Sequence, residues 1–156
     1  TVEQSIQGET PMNNITWYKM YNNSKTYSTS NATLGVTSEM IWGCQYDAML
    51  QFILKTQDAS HVTATTNVSH NLSSPYKTGG TNYTGTVKYN DISANIYDLE
   101  GNVCEWTQAI QLSNGRLFRG ADYNYKNFPY VRSAFNASPT LSFDDLGSRL
   151  SLYVEV

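Results

Sequence analysis

A strand–turn–strand pattern over residues 95–107 constrains the fold more than any other stretch of this sequence. The two ends of the stretch alternate large apolar and polar residues, as half-buried strands do, while its centre is rich in turn-forming residues. Gly101 suits a backbone position with positive φ, and Asn102 can hydrogen-bond to its own neighbouring backbone. The pattern therefore predicts a turn between two strands, with Cys104 and Trp106 as part of a core scaffold.

The centre of this stretch, D-L-E-G-N-V-C-E-W, resembles the D-x-x-G-N-V-W-E-W signature of the formylglycine-generating-enzyme (sulfatase-modifying factor) family. Three weaker landmarks occur in the family's order. Residues 41–54 resemble its helix after a tight strand, residues 116–120 its R-x-x-R-G-G strand, and residues 147–150 its closing G-F-R-L strand. The resemblance covers roughly residues 13–156, and it places the chain in a branch of the C-type-lectin fold.

The resemblance implies an α+β, C-type-lectin-like fold of the formylglycine-generating-enzyme type, with two short helices around a small antiparallel sheet and much irregular loop. Helical spacing of apolar residues predicts one helix from Asn14, a candidate N-cap, to about residue 27, and a stronger one over residues 44–55. Short strands are expected at residues 34–36 and 148–154.

Length and charge limit the possible function classes. A chain of 156 residues fits one domain, predicted at residues 13–156 after a polar arm or linker remnant at residues 1–12. Charged residues make up 15% and the net charge is −3, so the basic surface of a nucleic-acid binder is missing. No apolar run is long enough to insert into a membrane. We expect the arginines to form structural pairs near strand ends; they are Arg116, Arg119, Arg132 and Arg149.

Cysteines and histidines are few. Cys44 and Cys104 leave two alternatives open, one disulfide or two buried thiols. His61 and His70 have no nucleophile, carboxylate or metal ligand at a recognisable spacing. The resembled enzymes hold copper with a pair of C-terminal cysteines, the related sulfoxide synthases need a histidine cluster, and lectin calcium sites use E-P-N or W-N-D motifs; none of these occurs here. We therefore expect no enzyme activity, no metal and no cofactor.

Residues 121–146 combine many aromatic residues with small and acidic ones and show no sustained period. So many aromatic side chains cannot all reach one small core, which predicts that some form an exposed adhesive patch. The segment lacks Gln, Glu, Met and Trp, and its common residues can arise when the first two bases of an Asn codon are randomised. It resembles in this respect, and in its position between two landmark strands, the mutagenised region of variable proteins of diversity-generating retroelements.

That resemblance implies a non-catalytic, receptor-recognition domain with a variable surface at residues 121–146. The predicted ligand-binding residues are Tyr123, Asn124, Tyr125, Asn127, Phe128, Tyr130, Phe135, Leu141, Phe143, Asp144 and Asp145. A protein ligand such as a cell-surface receptor is favoured, with a glycan as the second choice. The expected location is extracellular, on a bacterial surface or phage particle. Two alternatives remain open: a structural or adhesive appendage of a surface or phage tail protein, and a degenerate formylglycine-generating-enzyme-like protein. The sequence leaves the ligand and the oligomeric state undefined.

Overall fold

The computed structural model describes residues 11–30, 33, 35–56, 92–93, 96–97, 103–111, 114–120, 122 and 134–154. Two helices and eight strands lie in these ranges. The helices are α1 (Trp17–Ser30) and α2 (Gly43–Thr56). The strands are β1 (Thr37–Met40), β2 (Ile92–Ser93), β3 (Ile96–Tyr97), β4 (Cys104–Ile110), β5 (Arg116–Arg119), β6 (Ala134–Ala137), β7 (Leu146–Ser148) and β8 (Leu150–Tyr153). The predicted α+β class is confirmed. The predicted arm up to residue 10 and turn at 98–102 lie outside the described residues.

The largest sheet has four strands in the order β6-β5-β4-β7, and two smaller sheets pair β1 with β8 and β2 with β3. Strand β4 lies antiparallel to β5 and parallel to β7, so the main sheet is mixed. The expectation of one small antiparallel sheet is therefore only partly right. Parallel strands need a crossover connection, and the chain between β4 and β7 contains the strands β5 and β6 of the same sheet.

Both helices bury apolar residues, and α1 starts later than predicted. Helix α2 buries Tyr46, Leu50 and Ile53, which lie three or four positions apart, and it confirms the helix predicted at 44–55. Helix α1 starts at Trp17 rather than next to the predicted N-cap, Asn14. The φ of Asn14 is 54°, in the left-handed region, which the extended backbone of an N-cap excludes.

The chain from Leu146 to Tyr153 forms two strands where one was predicted at residues 148–154. Strand β7 pairs with β4, and β8 pairs with β1. The break lies at Arg149, whose carbonyl oxygen accepts a hydrogen bond from the Ile41 amide at 3.0 Å. Gly147 permits close packing at this point, because a Cβ there would lie 2.9 Å from Val103 Cγ2. The strand is split because its two halves pair with different partners.

Two further strand predictions were wrong. The strand predicted at 34–36 does not form, because Gly35 has a φ of 60° and β1 begins two residues later. Within residues 121–146 no strand was predicted, yet β6 pairs antiparallel with β5. Four residues are too few to show a period, and the partner strand supplies the order that the local sequence lacks. Between β4 and β5, Asn114 has a φ of 68° and precedes Gly115, an Asn-Gly pair typical of a turn.

Three aromatic rings cross the main sheet from the core to the surface. Trp106 on β4 stands opposite Phe118 on β5, which stands opposite Phe135 on β6. The ring centroids are 5.6 Å apart at both steps, first edge-to-face and then stacked. Trp106 is fully buried, whereas Phe135 is 37% exposed. We call these three residues the aromatic ladder; it connects the core with the edge of the sheet.

The ladder predicts a graded loss of stability on truncation. Trp106→Ala should lower the free energy of unfolding by about 3–5 kcal/mol, since it removes a fully buried ring. Phe135→Ala should cost only about 1 kcal/mol, because the ring is partly in water and loses mainly one stacking contact. Urea unfolding checks both values, with Phe118→Ala expected between them. Equal losses for the first and last rings would contradict the gradient.

Candidate functional site

The predicted binding segment, residues 121–146, joins the sheet beside Cys104. The Cys104 amide donates a hydrogen bond to the Asp145 carbonyl oxygen at 2.9 Å. The Cys104 thiol lies 3.5 Å from Asp122 Oδ2 and 3.6 Å from the Gly120 carbonyl oxygen, and it can donate to either. Cys104 and Asp122 are both buried. Both ends of the segment are therefore fixed at one residue of β4.

A second set of contacts holds the C-terminal end from the other side. The Asn14 amide donates to the Phe143 carbonyl oxygen at 2.8 Å, and Asn13 Nδ2 donates to the Asp144 carbonyl oxygen at 2.5 Å. Met12 adds packing, since its carbonyl oxygen would lie 3.2 Å from a Cβ at Gly147. These contacts carry no sequence signal, because they join residues far apart in the chain and every acceptor is a backbone carbonyl oxygen.

The described arginines serve the scaffold. Arg149 pairs with the buried Glu105 at 2.7 Å, and Arg119 pairs with Asp47 of α2. The Arg116 guanidinium lies 3.9 Å from the centre of the Trp17 ring and donates to the Gln108 carbonyl oxygen. The prediction of structural arginine pairs is confirmed for Arg119 and Arg149, whereas Arg116 contacts a ring and a carbonyl oxygen instead. Arg132 lies outside the described residues.

Five of the predicted ligand-binding residues fall in the described part of the chain. Phe135, Leu141 and Phe143 are 37%, 48% and 39% exposed. Asp144 is exposed and Asp145 is half-buried. The structure thus brings large apolar side chains of the segment to the surface. Six others lie outside the described residues: Tyr123, Asn124, Tyr125, Asn127, Phe128 and Tyr130.

Comparison with known proteins finds likeness in structure. No family model matches the sequence, and no curated protein matches it. Treponema denticola variable protein 1 superposes with a TM-score of 0.70 and 16% identity, over 96% of this chain and 74% of that one. The crystal structure of CarF gives a TM-score of 0.66 and 16% identity, over 96% and 69%. PvdO from Pseudomonas aeruginosa gives a TM-score of 0.60 and 16% identity, over 95% and 63%.

The chain has a C-type-lectin-like fold. Two predicted resemblances are confirmed at the level of fold. One is the resemblance of D-L-E-G-N-V-C-E-W to the formylglycine-generating-enzyme branch, and the other is that of residues 121–146 to the variable proteins. In this C-type-lectin-like domain the signature residues Val103, Cys104 and Trp106 are buried, as predicted for scaffold.

Cysteine chemistry in the domain differs from both predicted alternatives. Cys44 and Cys104 are free thiols, and Cys44 is exposed, so there is neither a disulfide nor a pair of buried thiols. Cys44 lies in the first turn of α2 and faces outward, away from the Tyr46 stripe. In the described part of the chain no three His, Cys, Asp or Glu side chains form a group suited to a metal ion. No helix described here is long and apolar enough to cross a membrane.

Two buried side chains, Cys104 and Tyr46, have shifted pKa values. Burial raises the pKa of the Cys104 thiol well above its usual value, and the negative charges of Asp122 and Glu105 raise it further. The thiol is therefore protonated at neutral pH and acts as a hydrogen-bond donor rather than as a thiolate nucleophile. Burial likewise raises the pKa of the Tyr46 hydroxyl, with a smaller contribution from Glu105.

The raised pKa of Cys104 predicts a loss of stability in alkali. Below the usual thiol pKa of 9.0 the thiol is protonated in both the folded and the unfolded chain. Above that pH the unfolded chain releases the proton and the folded one keeps it, so the free energy of unfolding falls by up to about 1.4 kcal/mol per pH unit. Comparing wild type with Cys104→Ser across this range isolates the effect, since Tyr46 titrates in both. Parallel stability curves would contradict it.

Proposed function

We propose that this chain is a non-catalytic ligand-binding domain whose binding surface lies in residues 121–146, of the variable-protein type. The observation that carries the proposal is the exposure of Phe135, Leu141 and Phe143 on a segment whose ends are fixed to a buried strand. The likeness to Treponema denticola variable protein 1 supports it. A location outside the cell, on a bacterial or phage surface, belongs to the same proposal.

Exposing large apolar side chains to water is unfavourable, and burying them against a ligand is favourable. Large apolar side chains beside small polar ones form the centres of many protein–protein interfaces, where a few of them supply most of the affinity. Tyrosine suits this role because its ring is large and rigid while its hydroxyl stays hydrated. The predicted anchors Tyr123, Tyr125 and Tyr130 would add such rings to the described Leu141 and Phe143. These properties favour a protein ligand.

The residues of the core and the exposed residues of the proposed binding surface are different ones. Trp106 is buried and Phe118 is partly buried, whereas Phe135, the last ring of the aromatic ladder, is partly exposed. Changes among exposed residues of the segment therefore leave the core contacts intact. A surface that must differ between copies of a protein needs this arrangement, because each new sequence has to fold on the same framework.

Alanine substitution tests the binding surface. An array of bacterial and host surface proteins, probed with the wild-type domain, supplies the ligand. We expect Tyr123→Ala/Tyr125→Ala/Tyr130→Ala, and separately Leu141→Ala/Phe143→Ala, to weaken binding at least about thirtyfold, as loss of interface hot spots does. Each variant should lower the free energy of unfolding by less than about 1 kcal/mol, as surface changes do.

The matched control is Phe52→Ala, which truncates an exposed ring on α2, outside the segment. It should bind as the wild type does. Undiminished binding by both segment variants, or a large loss of stability in them, would contradict the proposal. Light scattering adds a further arm: a stable assembly that buries Leu141 and Phe143 between copies would favour the structural appendage instead.

The coding DNA gives an independent test of variability. A nearby near-copy of the codons for residues 121–146, differing from them only where the copy has adenine, should accompany a reverse-transcriptase gene. Sequencing the locus in several isolates should place the differences in this segment and leave the codons of β4 unchanged. Differences spread evenly along the gene would refute the variable-protein assignment, though not ligand binding itself.

A further inference from the structure

Cys104 makes two kinds of contact with the two ends of the predicted binding segment. Its backbone amide holds Asp145, and this bond forms whatever side chain the residue carries. Its thiol faces Asp122 and Gly120, at the other end. The thiol of this buried residue therefore can donate a hydrogen bond at the start of the segment, whereas the hydrogen bond at the end comes from its main chain.

The environment of Asp122 makes the thiol contact unusually important. Only 4% of Asp122 is exposed, so its carboxylate has lost most of its water. The carboxylates of Glu105 and Asp145 act on the same thiol, and Glu105 is itself paired with Arg149. A buried carboxylate needs donors. A protonated thiol supplies one without adding another charge, and it fits between the apolar neighbours of Cys104.

We propose that Cys104 is a positioning residue for the binding surface, holding Gly120 and Asp122 at the base of the segment through its thiol. The inference rests on the proposed function of residues 121–146. Without the thiol, Asp122 loses a donor in a buried setting, and its carboxylate gains by turning toward water. That movement would carry the first residue of the segment away from β4, while Asp145 stays in place.

Hydrogen exchange in the protein without ligand tests the inference. In Cys104→Ala, amides in the peptide spanning Gly120 and Asp122 should exchange about tenfold faster, the change expected for loss of one hydrogen bond. Amides of β7, which follow Asp145, should keep their wild-type rates. Cys104→Ser retains a donor at nearly the same size and should restore most of the protection.

A partner variant and a spectroscopic signature separate positioning from packing. Asp122→Ala should accelerate the same amides, and the double variant with Cys104→Ala should be no faster than the single ones. In Cys44→Ser, Cys104 is the only thiol, so its S–H stretching frequency should lie below that of a free thiol and rise when Asp122 is replaced by Ala. The exchange rates of Asp122→Ala and the S–H frequency still report on the contact if Cys104→Ala folds poorly.

Equal acceleration in α1, α2 and the aromatic ladder would overturn the inference, because it would show that the thiol only fills space. So would unchanged exchange in all variants, or an S–H frequency insensitive to Asp122. None of these results bears on ligand binding. Conversely, if the alanine variants of the segment keep binding while the exchange pattern is as expected, the contact stands and the proposed function fails.

Discussion

Strand β4 is buried from Cys104 to Gln108, and the polar side chains of Glu105, Thr107 and Gln108 on this stretch have partners inside the protein. The buried Trp106 ring nitrogen has no partner among the described residues. The partners of the other three come from distant parts of the chain. Glu105 receives Arg149, the Thr107 hydroxyl donates to Leu117, and the Gln108 amide side chain donates to the Met40 carbonyl oxygen at 2.7 Å. Breaking one such contact would leave a desolvated group, at a cost of several kcal/mol for an ion pair. These contacts fix the neighbours of β4 more firmly than apolar packing alone would.

The main sheet makes separate sets of contacts with the two helices. On one face, α1 packs against Trp106 and Met40, and its Trp17 ring nitrogen donates to the Thr107 carbonyl oxygen at 2.8 Å. Toward α2, Arg119 pairs with Asp47 and lies over the Tyr46 ring. The sheet is thus held by contacts with both helices near Gly120 and Leu146, the described residues that flank most of the predicted binding segment. If the segment binds a ligand as proposed, a fixed support of this kind reduces the entropy lost on binding.

The sequence predicted those elements whose pattern of apolar residues is complete within the element itself. The apolar stripe of α2 and the core role of Trp106 could be read directly, and the D-L-E-G-N-V-C-E-W resemblance gave the fold. Strand β6 could not be read, because its four residues gain their order from β5. The split at Arg149 and the start of α1 were also missed, since backbone contacts with Ile41 and Phe143 decide them. Of the candidate site, the exposure of Leu141 and Phe143 followed from composition, whereas the Cys104–Asp122 contact needed three dimensions.

The hydrogen bond from the Asn14 amide to the Phe143 carbonyl oxygen has a consequence for how this protein can evolve. Neither atom belongs to a side chain, so the bond does not depend on which side chain position 143 carries. Position 14 is more restricted, because its φ of 54° favours Asn or Gly. The pairing of β6 with β5 is also made by backbone atoms. Mutation can therefore replace the side chains at Phe135 and Phe143 while these backbone hydrogen bonds remain. The path of the main chain at both positions is inherited separately from the chemistry of the side chains that it carries.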